Sequence, residues 1–222
     1  MSLKPLKKTD SDKEWLSGRR DARRAISPEY HLIVTEGTKT EPQYFGEIKM
    51  HINTRFRERI QLEVYGEGKN TVSLFEAAKQ IVEKSPNGYK HIWIVYDTDD
   101  FSAESIDAVQ VLCKENSNKG RRYHAIWSNQ CIELWYLLYF SFFQSDINRR
   151  DYNPKLNECL KGISAGEYKK NRIDMFSVLR PYMETAISNA KKLNSINEGR
   201  TPSKSAPGTK VYELIEAIKP YI

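Results

Sequence analysis

Two apolar segments that end abruptly at carboxylates constrain the fold of this chain more than any other feature. Residues 31–35 (HLIVT) are followed by Glu36, and residues 91–96 (HIWIVY) are followed by the acidic run 97–100 (DTDD). Short apolar runs of this kind are typical of strands that are buried on both faces of a parallel sheet. Because ligands of open α/β sheets bind at the carboxyl ends of the strands, we expect both acidic groups to lie at a binding edge.

The chain alternates between strand-like and helix-like patterns as far as residue 145. The predicted strands cover 30–35, 60–65, 91–96 and 123–127. Segments with apolar residues at helical spacing lie between these strands. This alternation, with short connections, predicts an α/β fold with a mostly parallel four-stranded sheet, right-handed crossovers and flanking helices.

Three regions follow from these patterns. We predict a basic N-terminal arm over residues 1–28, the α/β domain over 29–145 and a helical C-terminal extension, packed on that domain, over 146–222. No strand is predicted after residue 146. The helices of the extension are placed at 154–162, 172–193 and 209–219.

Two helix starts are predicted from their capping residues. Thr40 is the expected N-cap of the helix after the first strand, where Gln43 would complete a capping box. Ser128 or Asn129 is the expected N-cap of an apolar helix over 131–143, which must be buried because it is apolar nearly all round.

The acidic run after the third strand indicates a divalent metal ion. Asp97 and Asp99 are two residues apart, so an extended backbone would direct both carboxylates to one side. Clustered carboxylates repel one another unless a cation neutralises them, which favours Mg²⁺ or Mn²⁺. Two alternatives stay open. In one, Asp99, Asp100 or Ser102 belongs to an N-cap cluster of the next helix; in the other, Glu36 belongs to an ordinary solvated turn.

Glu133 is a third acidic candidate. It lies between Ile132 and Leu134 in the apolar helix, where a buried carboxylate needs a partner. A metal ion, Lys169 or Lys170 would provide one. The alternative is that Glu133 only interacts with the first turn of its helix.

The charge of the chain favours a polyanionic partner. It has 35 Lys and Arg against 29 Asp and Glu, a formal net charge of +6, and basic residues concentrate in 4–24 and 161–172. Nucleic acid is the first expectation for such a balance of charges.

Three cysteines without CxxC spacing predict a reducing, cytoplasmic location. No apolar stretch reaches the ~20 residues that span a bilayer, so no membrane partner is expected.

Three segments of the chain resemble the motifs of the RloB-like family. They are residues 34–45 (VTEGTKTEPQYF), 96–101 (YDTDDF) and 128–135 (SNQCIELW). Members of this family are encoded beside restriction–modification and abortive-infection loci. The family is similar to a branch of the Toprim superfamily, the metal-dependent fold of topoisomerases, primases and OLD-type nucleases, so the resemblance implies a Toprim-like sheet.

The resemblance assigns roles to individual residues. Glu36 resembles the Toprim glutamate, Asp97 and Asp99 resemble the metal-binding pair, and Glu133 and Ser128 resemble later positions of OLD-like nucleases. Three positions depart from the family pattern, with Gln130 in place of proline, Ile132 in place of an aromatic residue and Tyr139 in place of histidine.

Together these features predict a Mg²⁺- or Mn²⁺-dependent nuclease acting on DNA or RNA, the effector of an antiphage or abortive-infection system. The expected catalytic residues are Glu36, Asp97, Asp99 and Glu133. The expected metal ligands are Glu36, Asp97, Asp99 and Asp100. The expected substrate-binding residues are Gly37, Lys39, Ser128, Asn129, Lys169 and Lys170, of which either of the last two lysines would hold the phosphate.

The expected partners are nucleic acid and an ABC- or OLD-type ATPase encoded nearby, and homo-oligomerisation stays open. The runner-up interpretation is a non-catalytic regulatory or nucleic-acid-binding subunit that docks onto such an ATPase. A DxD-type nucleotide-sugar transferase is disfavoured because it needs no Glu-Gly strand end. A haloacid-dehalogenase phosphatase is disfavoured because its motif needs Thr or Val at the position of Phe101.

Overall fold

The computed structural model of the protein describes residues 27–98 and 101–222. Asp99, Asp100 and nearly all of the predicted basic arm lie outside the described residues. The predicted metal ligands at 99 and 100 therefore stay predictions.

One mixed sheet organises the described part of the chain. Its strands are β1 (Glu29–Thr35), β2 (Ile60–Gly66), β3 (Tyr89–Asp97), β4 (Arg122–Asn129) and β5 (Gly208–Thr209). The strand order is β2-β1-β3-β4-β5. The first four strands are parallel, and β5 pairs antiparallel with β4. The predicted α/β class is confirmed.

The prediction that no strand follows residue 146 is wrong. β5 has two residues, which is too short to show the alternation by which strands are found in a sequence. It is held by a hydrogen bond between the hydroxyls of Ser128 and Thr209 (2.8 Å) and by one from the Lys210 backbone N–H to the Trp127 carbonyl (2.8 Å).

Helices cover both faces of the sheet, as the apolar strands require. They are α1 (Thr40–Arg55), α2 (Thr71–Lys84), α3 (Ala103–Glu115), α4 (Glu133–Leu138), α5 (Arg149–Gly162), α6 (Met175–Leu179), α7 (Met183–Ile196) and α8 (Val211–Ile218). In β1, Leu32 and Val34 belong to a buried cluster with α2 and α3. Ile33 points the other way, into a larger cluster that α1 shares with the C-terminal helices.

The two helix caps predicted from the sequence, at Thr40 and at Ser128 or Asn129, are both wrong. Thr40 is the first residue of α1, and Lys39 occupies the cap position without a side-chain cap. The Thr40 hydroxyl instead donates to the Lys170 carbonyl (3.1 Å), which attaches the C-terminal region to the start of α1. Ser128 and Asn129 are the last residues of β4. The helix that follows covers only Glu133–Leu138 and is buried along its whole length. The chain turns immediately before and after this helix, so it does not extend over 131–143.

Three of the four histidines meet at the amino ends of the strands. His31 is the cross-strand partner of His91. His91 Nδ1 lies 2.9 Å from His124 Nε2, and the Trp93 ring stacks on His124 with centroids 4.0 Å apart. Charged residues close to this histidine cluster are Glu29, Lys90 and Arg122.

We expect acid to destabilise the protein through this cluster. Burial lowers the pKa of His31 from 6.5 to about 4. As the pH falls through that interval, the unfolded chain takes up a proton that the folded protein does not, so the free energy of unfolding decreases. The shift corresponds to about 3 kcal/mol for His31. Denaturant titrations in EDTA should show a shallower pH dependence for His31→Gln than for His51→Gln, a substitution outside the cluster. An equal pH dependence of the free energy of unfolding in both variants would show that His31 is not the source of the acid sensitivity.

Candidate functional site

A pocket of about 510 Å³ opens at the carboxyl edge of the sheet. Four carboxylates line it, two from residues 36–41, one from the end of β3 and one from the start of α4, and we call it the acidic pocket. They belong to Glu36, Glu41, Asp97 and Glu133. The pocket lies where the sequence predicts a binding edge.

The pairing of β1 and β3 brings Glu36 and Asp97 together. The Glu36 backbone N–H donates to the Val95 carbonyl (2.9 Å), which extends the ladder one residue past β1. The Asp97 backbone N–H then donates to the Glu36 side chain at Oε2 (3.3 Å). Both strands end at the same level, so their terminal carboxylates meet at one edge.

Glu41 is a site residue that sequence reasoning missed. It lies in the first turn of α1, is only 5% exposed and hydrogen-bonds to the backbone of Gly37. A signal for it was present, because Tyr44, Phe45 and Ile48 follow at helical spacing and mark the buried face of α1. A glutamate one turn before these residues, on the same face, must be buried as well.

The pocket carboxylates repel one another. Burial raises the pKa of Asp97 well above its usual value, and the carboxylates of Glu41 and Glu133 raise it further. Burial likewise raises the pKa of Glu41, with Glu133 adding to the effect. Carboxylates crowded in this way are stabilised in their charged form by a cation.

Two hydrogen-bonding or charged partners of these acids were not predicted. Tyr168 donates its hydroxyl proton to Glu133 Oε1 (2.8 Å), where a metal ion or a lysine was expected. Arg149, the first residue of α5, places Nη2 4.0 Å from Asp97 Oδ2. The Arg149 backbone N–H donates to the Gln130 side chain (2.8 Å), which fixes the start of α5 beside the pocket.

The predicted substrate-binding residues divide into three groups. Gly37, Lys39 and Lys170 line the acidic pocket. Ser128 and Asn129 are buried beneath it: the Ser128 hydroxyl bonds to Thr209, and the Asn129 amide donates to Thr98 Oγ1 (2.9 Å).

Lys169 lies apart from this pocket. It lines a separate, open groove with Arg172 and Asp174. The two adjacent lysines, which the sequence left equivalent, therefore face different surfaces, and Lys170 is the one beside the carboxylates.

The donor set of the acidic pocket fits a hard divalent cation. Carboxylate oxygens are the preferred ligands of Mg²⁺ and Mn²⁺. Glu36, Glu41, Asp97 and Glu133 supply such oxygens from a pocket that remains open to solvent. Burial raises the pKa of Asp97, and a bound cation would offset the repulsion from the neighbouring carboxylates that raises it further.

Comparison with known proteins gives one match. A family model described as RloB-like protein matches residues 31–218. The search of curated proteins found no match, and the search of solved structures found none either. Within the described residues, no helix has both the length and the apolar character needed to cross a membrane.

Proposed function

The chain belongs to the RloB-like family, and we propose that it is a metal-dependent nuclease with a Toprim-like active site. The observation that carries the proposal is the convergence of Glu36, Glu41, Asp97 and Glu133 in one open pocket. We further propose that it serves as the effector of an antiphage system and works with an ABC-type ATPase.

The chain would use the pocket residues in distinct roles. Glu36, Glu41 and Asp97 would hold Mg²⁺ or Mn²⁺, with the predicted ligands Asp99 and Asp100 next in the chain. The ion would supply charge stabilisation for the phosphodiester in its transition state. Glu36 would alternatively act as general acid or base toward the attacking water or the leaving oxygen.

Glu133 is suited to a proton-handling or positioning role. The residue is 4% exposed, and one oxygen of its carboxylate already accepts a hydrogen bond from the Tyr168 hydroxyl. This hydrogen bond orients the carboxylate toward the pocket, and it leaves the other oxygen to bind an ion or to accept a proton.

Basic residues at the pocket supply attraction for a polyanion. Lys39, Lys69, Arg149 and Lys170 line it together with the carboxylates. A cleft of carboxylates alone would repel a phosphate backbone, so cations at the rim are required for binding. They contact phosphate rather than base edges in this proposal, which predicts little sequence preference.

A cleavage assay on the purified full-length chain tests the proposal. Supercoiled DNA, single-stranded DNA, single-stranded RNA and tRNA would each be incubated with Mg²⁺, with Mn²⁺ and with EDTA. We expect cleavage of at least one substrate with a divalent ion and none with EDTA. Cleavage that persists in EDTA would refute the mechanism. Metal binding without cleavage of any substrate would favour a non-catalytic, nucleic-acid-binding subunit instead.

Substitution of Gly37 should damage the metal site through Glu41. A Cβ on residue 37 would overlap the Glu41 carboxylate, whereas a Cβ on Gly46 meets no atom within 4 Å. We expect Gly37→Ala to displace that carboxylate and to weaken Mn²⁺ binding by about 10–100-fold.

Gly46→Ala is the matched control for this substitution. It lies in the interior of α1, where alanine should raise the free energy of unfolding by about 0.5–1 kcal/mol without changing metal affinity. Calorimetric titration with Mn²⁺ checks both variants. Equal affinities would show that Glu41 does not hold the ion.

A further inference from the structure

A second group of potential metal ligands lies at the opposite edge of the sheet from the acidic pocket. Glu29, His31 and His91 each present one ligand atom there, and these atoms all lie within 4.8 Å of one another. We propose that these three residues bind a Zn²⁺ ion. The site is independent of the proposed nuclease function.

Sheet register brings the three ligands together. Glu29 and His31 are two residues apart on β1, so their side chains emerge on the same face. His91 on β3 is the cross-strand partner of His31. The result is that Glu29 Oε1 lies 3.0 Å from His31 Nε2 and 3.6 Å from His91 Nε2.

The groups have the charge states that a metal ion requires. Glu29 Oε2 is paired with the Lys90 ammonium group (2.8 Å), which keeps the carboxylate ionised and leaves Oε1 directed at the histidines. His31 is 3% exposed, and its Nδ1 accepts the hydrogen bond of the Trp93 indole N–H (3.3 Å), so the imidazole is neutral. An ion at this position meets one carboxylate and neutral imidazoles, which are ordinary zinc ligands.

His124 acts behind His91 as a supporting residue. Histidines that bind metal usually donate their other ring N–H to an acceptor, which fixes the tautomer. His91 Nδ1 lies 2.9 Å from His124 Nε2, so it can donate there while His91 Nε2 faces Glu29. The ring stack with Trp93 (centroids 5.7 Å apart) holds the His91 imidazole in this orientation.

Trp93 makes the occupancy of the site observable. Its indole N–H donates to His31 Nδ1 (3.3 Å), so in the metal-free protein the His31 proton is on Nε2 and is shared with Glu29. When zinc binds Nε2, that proton must move to Nδ1. The Trp93 N–H then loses its acceptor, and its NMR resonance shifts.

The ligand chemistry selects zinc over magnesium. Imidazole nitrogens suit Zn²⁺, whereas Mg²⁺ takes oxygen ligands and keeps much of its water. Three protein ligands leave a fourth position for water. The exposed fractions of the His91 and Glu29 side chains, 27% and 36%, give the ion a path to this position from solvent.

Zinc titration of the EDTA-treated, dialysed full-length protein tests the proposal, with a chromophoric zinc indicator as competitor. We expect binding of one Zn²⁺ per chain in the presence of excess Mg²⁺. The affinity should fall at least 10-fold in His91→Ala and in Glu29→Gln. It should be unchanged in His51→Ala, which removes a histidine elsewhere, and in Asp97→Asn, which alters the acidic pocket.

The following outcomes would overturn the assignment of a zinc site to Glu29, His31 and His91. Zinc binding that survives His91→Ala but is lost in Asp97→Asn would place the ion in the acidic pocket. No zinc binding by the folded wild-type protein would refute the site directly. If His91→Ala fails to fold, the Trp93 indole resonance of the wild-type protein decides: it must shift on addition of one equivalent of Zn²⁺ and not on addition of Mg²⁺.

Discussion

Asp97→Asn should abolish nucleic-acid cleavage and, in the absence of metal, make the protein more stable. The first effect follows from loss of a charged metal ligand, and we expect a decrease of about 10²–10⁴-fold in rate. The second follows from the raised pKa of Asp97, which burial and the carboxylates of Glu41, Glu133 and Glu36 produce. Above the pKa of an unfolded aspartate, ionised Asp97 disfavours the folded state, and asparagine removes that penalty.

The two effects are measured on the same preparations. Cleavage rates in Mg²⁺ give the first, and denaturant unfolding in EDTA near pH 8 gives the second. Asp146→Asn is the matched control, because it makes the same chemical change at an exposed position in the loop before α5. It should alter neither quantity appreciably. Added Mg²⁺ should stabilise the wild type more than Asp97→Asn, since a ligand that binds the folded state more tightly stabilises it more at the same concentration.

Normal cleavage by Asp97→Asn would show that Asp97 takes no part in the mechanism. A variant that is less stable than the wild type in EDTA would show instead that the carboxylate is satisfied by its surroundings. In that case the acidic pocket would be an internal polar network rather than a cation site.

The sequence predicted those parts of the fold and the site that depend on local pattern. The four parallel strands were found from local pattern: β1 and β3 contain apolar runs with a clear end, and β2 alternates apolar and polar residues. Glu36 and Asp97 were found because they stand at the ends of the two apolar runs. Parallel pairing of β1 with β3 then places the two carboxylates side by side without further information.

Features that depend on packing between distant segments could not be predicted in this way. Arg149 reaches the pocket only because α5 begins beside Gln130. Tyr168 reaches Glu133 from 35 residues further along the chain. No local period marks either contact. The histidine cluster was overlooked for a related reason, because its members belong to three strands and only their register brings them together.

Arg149 is the residue outside the carboxylate set from which we expect the largest effect on cleavage. Its guanidinium faces Asp97 across 4.0 Å, and its side chain is 40% exposed, so one side meets the acids and the other meets solvent. A phosphodiester entering the pocket would lie between this cation and the metal ligands. Arginine is suited to that position because its planar fork matches two phosphate oxygens.

Arg149→Ala should therefore reduce cleavage by about 10²–10³-fold, the usual cost of removing one group that stabilises developing charge. Mn²⁺ binding should be retained, because the substitution removes a positive charge and no ligand. Arg149→Lys should recover part of the activity, since lysine restores the charge but not the bidentate geometry.

The effect of Arg149→Ala on stability should have the opposite sign to that of Asp97→Asn. Arg149 lowers the pKa of Asp97, so it partly neutralises the acidic pocket when no metal is bound. Its removal should decrease the free energy of unfolding in EDTA, and Mg²⁺ should restore much of the loss. Arg150→Ala provides the matched control, because it removes the same charge from the next, exposed residue of α5. Equal cleavage and equal stability in the two alanine variants would mean that Arg149 acts neither on the phosphate nor on the carboxylates.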